Sequence, residues 1–135
     1  MIRKTKHGDY EKGFIVHPFA RYQVHVIFTK DLQKSWRARN SGRVDIGDDC
    51  RAFHHTFDSG YSSLYFLLGD CPTGTVAHEC LHAVWALLEY VGIGFKEEEA
   101  VTYLLDYIVQ AVQDFKNQMI DQGIGVQSRK KKRRL

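Results

Sequence analysis

Cysteine is scarce in this sequence, and its spacing excludes two common uses of the residue. The 135-residue chain holds three cysteines, Cys50, Cys71 and Cys80, which are odd in number and widely separated. Such a set is not a disulfide framework, so a reducing compartment is expected. No two cysteines form a CxxC pair, which excludes the common structural zinc fingers.

The sequence also lacks a long apolar run. No stretch approaches the roughly 20 apolar residues that a membrane-spanning helix requires. The basic N-terminus has no apolar stretch behind it, so a secretory signal is not expected. The hydrophobic content of 44% and charged content of 26% are ordinary for a globular protein, and the length suits one domain. A cytoplasmic location is therefore expected.

Basic residues are concentrated at the C-terminal end. Residues 129–134 hold six of the 19 basic residues, so the rest of the chain, with all 16 acidic residues, is net acidic. Residues 122–135 are predicted to be a disordered basic tail that follows a single domain, residues 1–121. The tail could contact nucleic acid or an acidic partner, or it could simply be a solvated extension.

The first half of the chain is predicted to contain strands and one short helix. Residues 1–13 are polar and are expected to be loosely ordered. Leu32–Arg39 is predicted to be a helix with Asp31 as its N-cap. β-Branched and aromatic residues predict strands at 23–29, 50–58 and 63–68.

Two amphipathic helices are predicted in the second half. The first covers about residues 75–90, with Thr73 or Thr75 as its N-cap and Gly92 or Gly94 at its end. The second covers about residues 97–119. Together the elements predict an α+β domain in which a short mixed sheet packs against helices.

The first of these helices carries the pattern His-Glu-x-x-His. His78 and His82 are four residues apart, so they project from one face of the helix and can each give a nitrogen to the same Zn²⁺. Glu79, next to the first histidine, is placed to take a proton from zinc-bound water and to pass it to a leaving amine. The alternative is a chance match of this pattern on a helix surface. The apolar residues around the motif argue against it, because they indicate a core-facing helix. Three ionisable groups embedded in such a helix need a partner, and a metal ion provides one.

A catalytic zinc ion needs a third protein ligand. The candidates are Glu97, Glu98 and Glu99, which a turn at residues 92–96 would bring near the metal by folding the second helix back across the first. The alternative is that an acidic first turn only favours the helix dipole, and two of the three glutamates are expected to do just that.

The remaining histidines are not expected to bind metal. His54 and His55 are adjacent on a predicted strand and therefore face opposite sides, so they cannot both serve one ion. The same expectation, that the residue is not a metal ligand, applies to His7, His17 and His25. Cys80 is expected to be a small buried apolar residue rather than a ligand.

Residues 75–84, TVAHECLHAV, resemble the active-site helix of the gluzincin metallopeptidases, the thermolysin-like clan. The stretch Glu99–Tyr103 resembles their third-ligand motif, which makes Glu99 the ligand and places Thr102 at the position of a small residue. Tyr103 stands where the thermolysin-like enzymes often carry aspartate. The resemblance covers about residues 75–107, and the short chain looks most like the small metallopeptidases of bacteriophages and prophages.

This resemblance implies a zincin-like fold with an active-site helix, one Zn²⁺ and hydrolysis of a protein or peptide substrate. It also implies that the strand at Ser62–Leu68 is the sheet edge that pairs with the substrate. Tyr61, Tyr65 and Tyr103 are candidate substrate-binding groups or oxyanion donors. The alternative function is that of a non-catalytic, zinc-stabilised binding protein with the same fold.

Overall fold

The computed structural model describes residues 2–6, 8–17, 19–39, 50–57 and 60–125. The described chain forms five strands and three helices, in an order that confirms the α+β class. They are β1 (Arg3–Lys4), β2 (Tyr10–Val16), β3 (Phe19–Thr29), α1 (Leu32–Arg39), β4 (Ala52–Phe57), β5 (Tyr61–Leu67), α2 (Thr73–Val91) and α3 (Glu98–Asp121).

The strands form one mixed sheet in the order β1-β2-β3-β5-β4. Among the strands of the described residues, only β3 and β5 are parallel, and the other neighbours are antiparallel. Within the described residues β4 is an edge strand and β5 is internal. The prediction that Ser62–Leu68 forms the sheet edge is therefore wrong. Strand β4, which precedes β5 in the chain, pairs with β5 on the side away from β3 and takes the edge position.

The two faces of the sheet are covered by different helices. Leu64 and Phe66 of β5 lie in the main core with α2 and α3. Tyr65, which points the opposite way, lies in a smaller cluster with Leu32 and Trp36 of α1. The alternation of side chains along β5 thus separates the surroundings of α2 from those of α1.

Aromatic packing joins the sheet to α3 in the main core. The ring centroid of Phe28 on β3 is 5.3 Å from that of Phe66 and 5.5 Å from that of Phe115. All three side chains are almost completely buried. This cluster holds α3 against the centre of the sheet.

The N-terminal segment is a strand pair, which corrects the prediction that residues 1–13 are loosely ordered. Tyr10, Phe14 and Val16 alternate along β2, and all three belong to the main core or pack against it. Lys12, on the same side, donates a hydrogen bond from Nζ to Gln118 Oε1 at 3.2 Å. Charged residues and a glycine between the apolar positions hide this alternation in the sequence.

The helix ends follow the predictions only in part. The Lys34 amide donates to Asp31 Oδ1 at 3.1 Å, which confirms Asp31 as the N-cap of α1. Gly92 ends α2 with a φ of 82°, as predicted. The predicted threonine cap of α2 is wrong, because Pro72 occupies the N-cap position and no side chain among the described residues caps the helix.

Helices α2 and α3 form an antiparallel pair. Lys116, near the end of α3, is buried and donates from Nζ to the carbonyl of Cys71 at 2.9 Å, just before α2 begins. The start of α3 therefore lies beside the end of α2. In the described part of the chain, no helix has both the length and the apolar character of a membrane span.

The C-terminal boundary is described only up to residue 125. Ile124 follows α3, and its amide donates to the carbonyl of Met119 at 2.9 Å while its side chain packs against the main core. The basic run at 129–134, predicted to be a disordered tail, lies outside the described residues.

The aromatic cluster predicts a large effect of Phe28→Ala on stability. Because Phe28 is 0% exposed and contacts both Phe66 and Phe115, its truncation should lower the free energy of unfolding by about 3–5 kcal/mol. Phe95→Ala is the matched control, since Phe95 is 55% exposed, and it should change that free energy by no more than about 0.5 kcal/mol. Urea denaturation measures both, and equal effects would contradict the described core.

Candidate functional site

His78 and His82 lie one turn apart on the outward side of α2. Their ring centroids are 4.9 Å apart, as the helical spacing predicts for one face. The side chain of His78 is 68% exposed, and His82 is half-buried. The expectation that all three ionisable groups are embedded in the core is therefore wrong for the histidines, because the apolar positions of α2 turn its opposite side to the sheet.

Glu79 is the buried member of the motif. Only 7% of the residue is exposed, and its Oε2 lies 3.9 Å from Nε2 of His78. Burial raises the pKa of the Glu79 carboxyl, while the nearby His78 and His82 act in the opposite direction. A carboxyl group with a raised pKa is a better proton acceptor than an ordinary glutamate.

An open cavity of about 430 Å³ lies beside this carboxyl group. Its walls come from the start of β4 and the first turns of α2. The lining residues are Arg51, Ala52, Gly74, Thr75, His78 and Glu79. Glu79 and one of the two histidines thus border a space that a small group or a chain segment can enter.

A third histidine, His54 of β4, packs against His82. Its ring is nearly parallel to that of His82, with the centroids 5.8 Å apart. His55 faces the other side of the sheet, where its ring lies 5.0 Å from that of Trp36. The predicted opposition of His54 and His55 is confirmed. The alternation of side chains along a strand does not, however, predict which of the two histidines faces α2.

Two hydroxyl groups hydrogen-bond to the ring of His54. Its Nε2 lies 2.9 Å from Thr56 Oγ1 and 3.4 Å from Ser62 Oγ, and Ser62 is hydrogen-bonded in turn to the hydroxyl of Tyr22. Burial, together with the nearby His82 and His55, lowers the pKa of His54 to about 4. His54 is therefore a neutral imidazole at neutral pH.

Glu99 lies at the other end of α2 from the histidines. It is exposed in the first turn of α3, and α2 continues for nine residues beyond His82 before α3 begins. Nine helical residues span about 13 Å. The connection does not place this turn at the histidines, and in the described residues no three His, Cys, Asp or Glu side chains form a group that could hold a metal ion.

The candidate tyrosines also lie away from His78 and His82. Tyr65 is buried on the α1 side of the sheet, where it stacks on Phe53. Tyr103 is 52% exposed and adjoins Tyr107, whose hydroxyl donates to the carbonyl of Ile15 on β2. Tyr61 of β5 packs against His25. The structure therefore brings neither Tyr65 nor Tyr103 to the site.

The three cysteines should differ in reactivity. Burial raises the pKa of Cys80 to about 12 and that of Cys71 to about 11, and both are buried, whereas Cys50 is half-buried. In the folded protein a thiol reagent should therefore label Cys50 first. Mass spectrometry identifies the labelled residue, and Cys50→Ser should remove the fast phase. Fast labelling of Cys80 would contradict its assignment as a buried apolar residue.

Comparisons with known proteins do not assign the site. No family model, no curated protein and no solved structure matches the chain. The resemblance of residues 75–107 to the gluzincins thus remains a prediction from the sequence, and the function is inferred from the geometry of the site.

Proposed function

We propose that this protein is a zinc-dependent peptidase in which His78 and His82 bind the metal ion and Glu79 is the general base. One observation carries the proposal. Two imidazoles stand one helical turn apart, and a buried carboxylate, 3.9 Å from the first of them, borders an open cavity.

The donors fit part of a zinc site. Neutral imidazole is a preferred zinc ligand, and His78 and His82 share one side of a rigid helix. Zinc, when bound, polarises the scissile carbonyl and lowers the pKa of a coordinated water molecule to about 7. The fit is incomplete at the third ligand, because Glu99, the sequence-based candidate, lies beyond the far end of α2.

Glu79 performs the proton transfers in this proposal. Its carboxylate accepts a proton from the attacking water and then donates it to the leaving amine. The raised pKa brings the carboxyl closer to the pH at which both transfers occur. Burial also restricts the motion of the carboxyl group, which suits a base that acts twice in one turnover.

An extended peptide is the substrate that suits the surroundings. Within the described residues β4 has a free edge, and its residue His54 packs against His82. A peptide that adds to such an edge is held by main-chain hydrogen bonds, whatever its sequence. Trp85, 42% exposed and in ring contact with His82, offers an apolar surface to a substrate side chain.

A non-catalytic, zinc-stabilised binding protein is the second candidate. One observation favours it: two of the three tyrosines predicted as oxyanion donors, Tyr65 and Tyr103, lie away from His78 and His82. In that case zinc would support the fold at α2, and Glu79 would have no chemical role.

Glu79→Gln separates the two functions. In a peptidase this change should lower the rate of peptide hydrolysis by at least about 100-fold, because it removes the general base, while zinc binding is retained. Glu89→Gln, an exposed position on the same helix, is the control and should leave the rate unchanged. Hydrolysis of an unstructured protein such as casein, followed by mass spectrometry, measures the rate. Undiminished cleavage by Glu79→Gln would contradict the proposed role.

Zinc should also stabilise the fold through His78. At a free zinc concentration 100 times the dissociation constant, binding to the native state adds about 2.7 kcal/mol to the free energy of unfolding. The wild-type melting temperature should therefore rise with zinc and fall back when a chelator is added. His78→Ala should remove this response, and an unchanged response in that variant would exclude His78 as a ligand.

A further inference from the structure

We infer that His54 of β4, rather than Glu99 of α3, supplies the third protein ligand of the proposed metal site. This inference rests on the proposed zinc binding by His78 and His82. It adds a histidine that lies 24 residues before the His-Glu-x-x-His motif in the sequence and that comes from a different element of the fold.

Ring separations place His54 close to the arrangement that a shared metal ion requires. Two imidazoles on one tetrahedral zinc, with Zn–N distances of 2.0–2.1 Å, have ring centroids about 5 Å apart. The observed separations are 4.9 Å between His78 and His82 and 5.8 Å between His82 and His54. His82 is thus the middle member of a chain of three imidazoles.

The hydrogen bonds of His54 suit a metal ligand. Metal-binding histidines usually donate their second ring N–H to a fixed partner, which sets the tautomer. Thr56 and Ser62 provide such partners at Nε2, and Tyr22 holds Ser62 in place. With Nε2 as the donor, Nδ1 carries the lone pair, and no partner for Nδ1 is seen in the described part of the chain.

Rotation of one or more of the three side chains is needed to close the set, and His78 is the most exposed of them. In the described structure the three histidines do not yet form a group that could hold a metal ion. The side chain of His78 is 68% exposed, so its rotation is not opposed by core packing. A side-chain rotation does not bring Glu99 to the histidines, because its approach would require α3 to leave its antiparallel packing along α2.

Zinc affinities of four full-length proteins test the inference. Competition with a chromophoric chelator gives the dissociation constants of wild type, His54→Ala, His55→Ala and Glu99→Gln. We expect His54→Ala to weaken binding by more than about 100-fold, because loss of a mere hydrogen-bonding partner of a ligand costs about 10–100-fold. His55→Ala, on the same strand but facing Trp36, and Glu99→Gln should bind zinc like wild type. A Glu99→Gln variant that loses zinc while His54→Ala keeps it would overturn the inference.

X-ray absorption spectroscopy of the zinc-loaded protein provides a second test, which counts the histidine ligands directly. Multiple scattering from imidazole rings should indicate three histidine ligands, and His54→Gln should reduce the number to two. Two histidines in the wild-type protein would overturn the role of His54 but leave the proposed zinc site intact. If the wild-type protein binds no zinc, the proposed function itself fails, so the two failures are distinguishable.

Discussion

Burial of one side of α2 against the sheet and α3 determines where the candidate functional groups lie. Five residues on this side of the helix are fully buried and fix the rotation of the helix about its axis. They are Val76, Cys80, Ala83, Val84 and Leu87. His78 and His82 must then lie on the outward side, and Glu79 falls at the boundary between core and solvent. A different rotation of α2 would separate this carboxylate from the cavity.

The sheet order adds the second constraint. Because β5 lies between β3 and β4, the strand beside the histidines is β4, which presents both a sheet edge and His54. The same order places Tyr65 under α1, where aromatic packing accounts for its burial. The resemblance to the gluzincins implied the role of edge strand for β5. The structure transfers that role to β4.

Local features of the fold could be predicted from the sequence, whereas tertiary order could not. The bounds of α1 follow from Asp31 and the apolar spacing after it, and the end of α2 follows from Gly92. The pairing of His78 with His82 is also local, because both residues sit on one helix. Each of these depends on residues within a few positions of one another.

The differences between prediction and structure concern residues that are distant in sequence. The motif match predicts Glu99 at the metal, whereas α2 continues for nine residues beyond His82 and the turn that follows leaves Glu99 near the far end of that helix. Strand alternation predicts that His54 and His55 face opposite sides, as observed, but it does not predict which elements each side contacts. The strand β2 was missed because its pairing with β3 stabilises a segment whose own sequence is largely polar.

The proposed function depends on metal binding by the histidine pair of α2, which has a buried base beside it. A crystal structure of the zinc-loaded protein, with anomalous diffraction collected at the zinc absorption edge, locates the metal ion without reference to activity. We expect one anomalous peak within about 2.0–2.1 Å of ring nitrogens of both His78 and His82. A protein crystallised with zinc that shows no peak at these residues, or one only elsewhere, would contradict it.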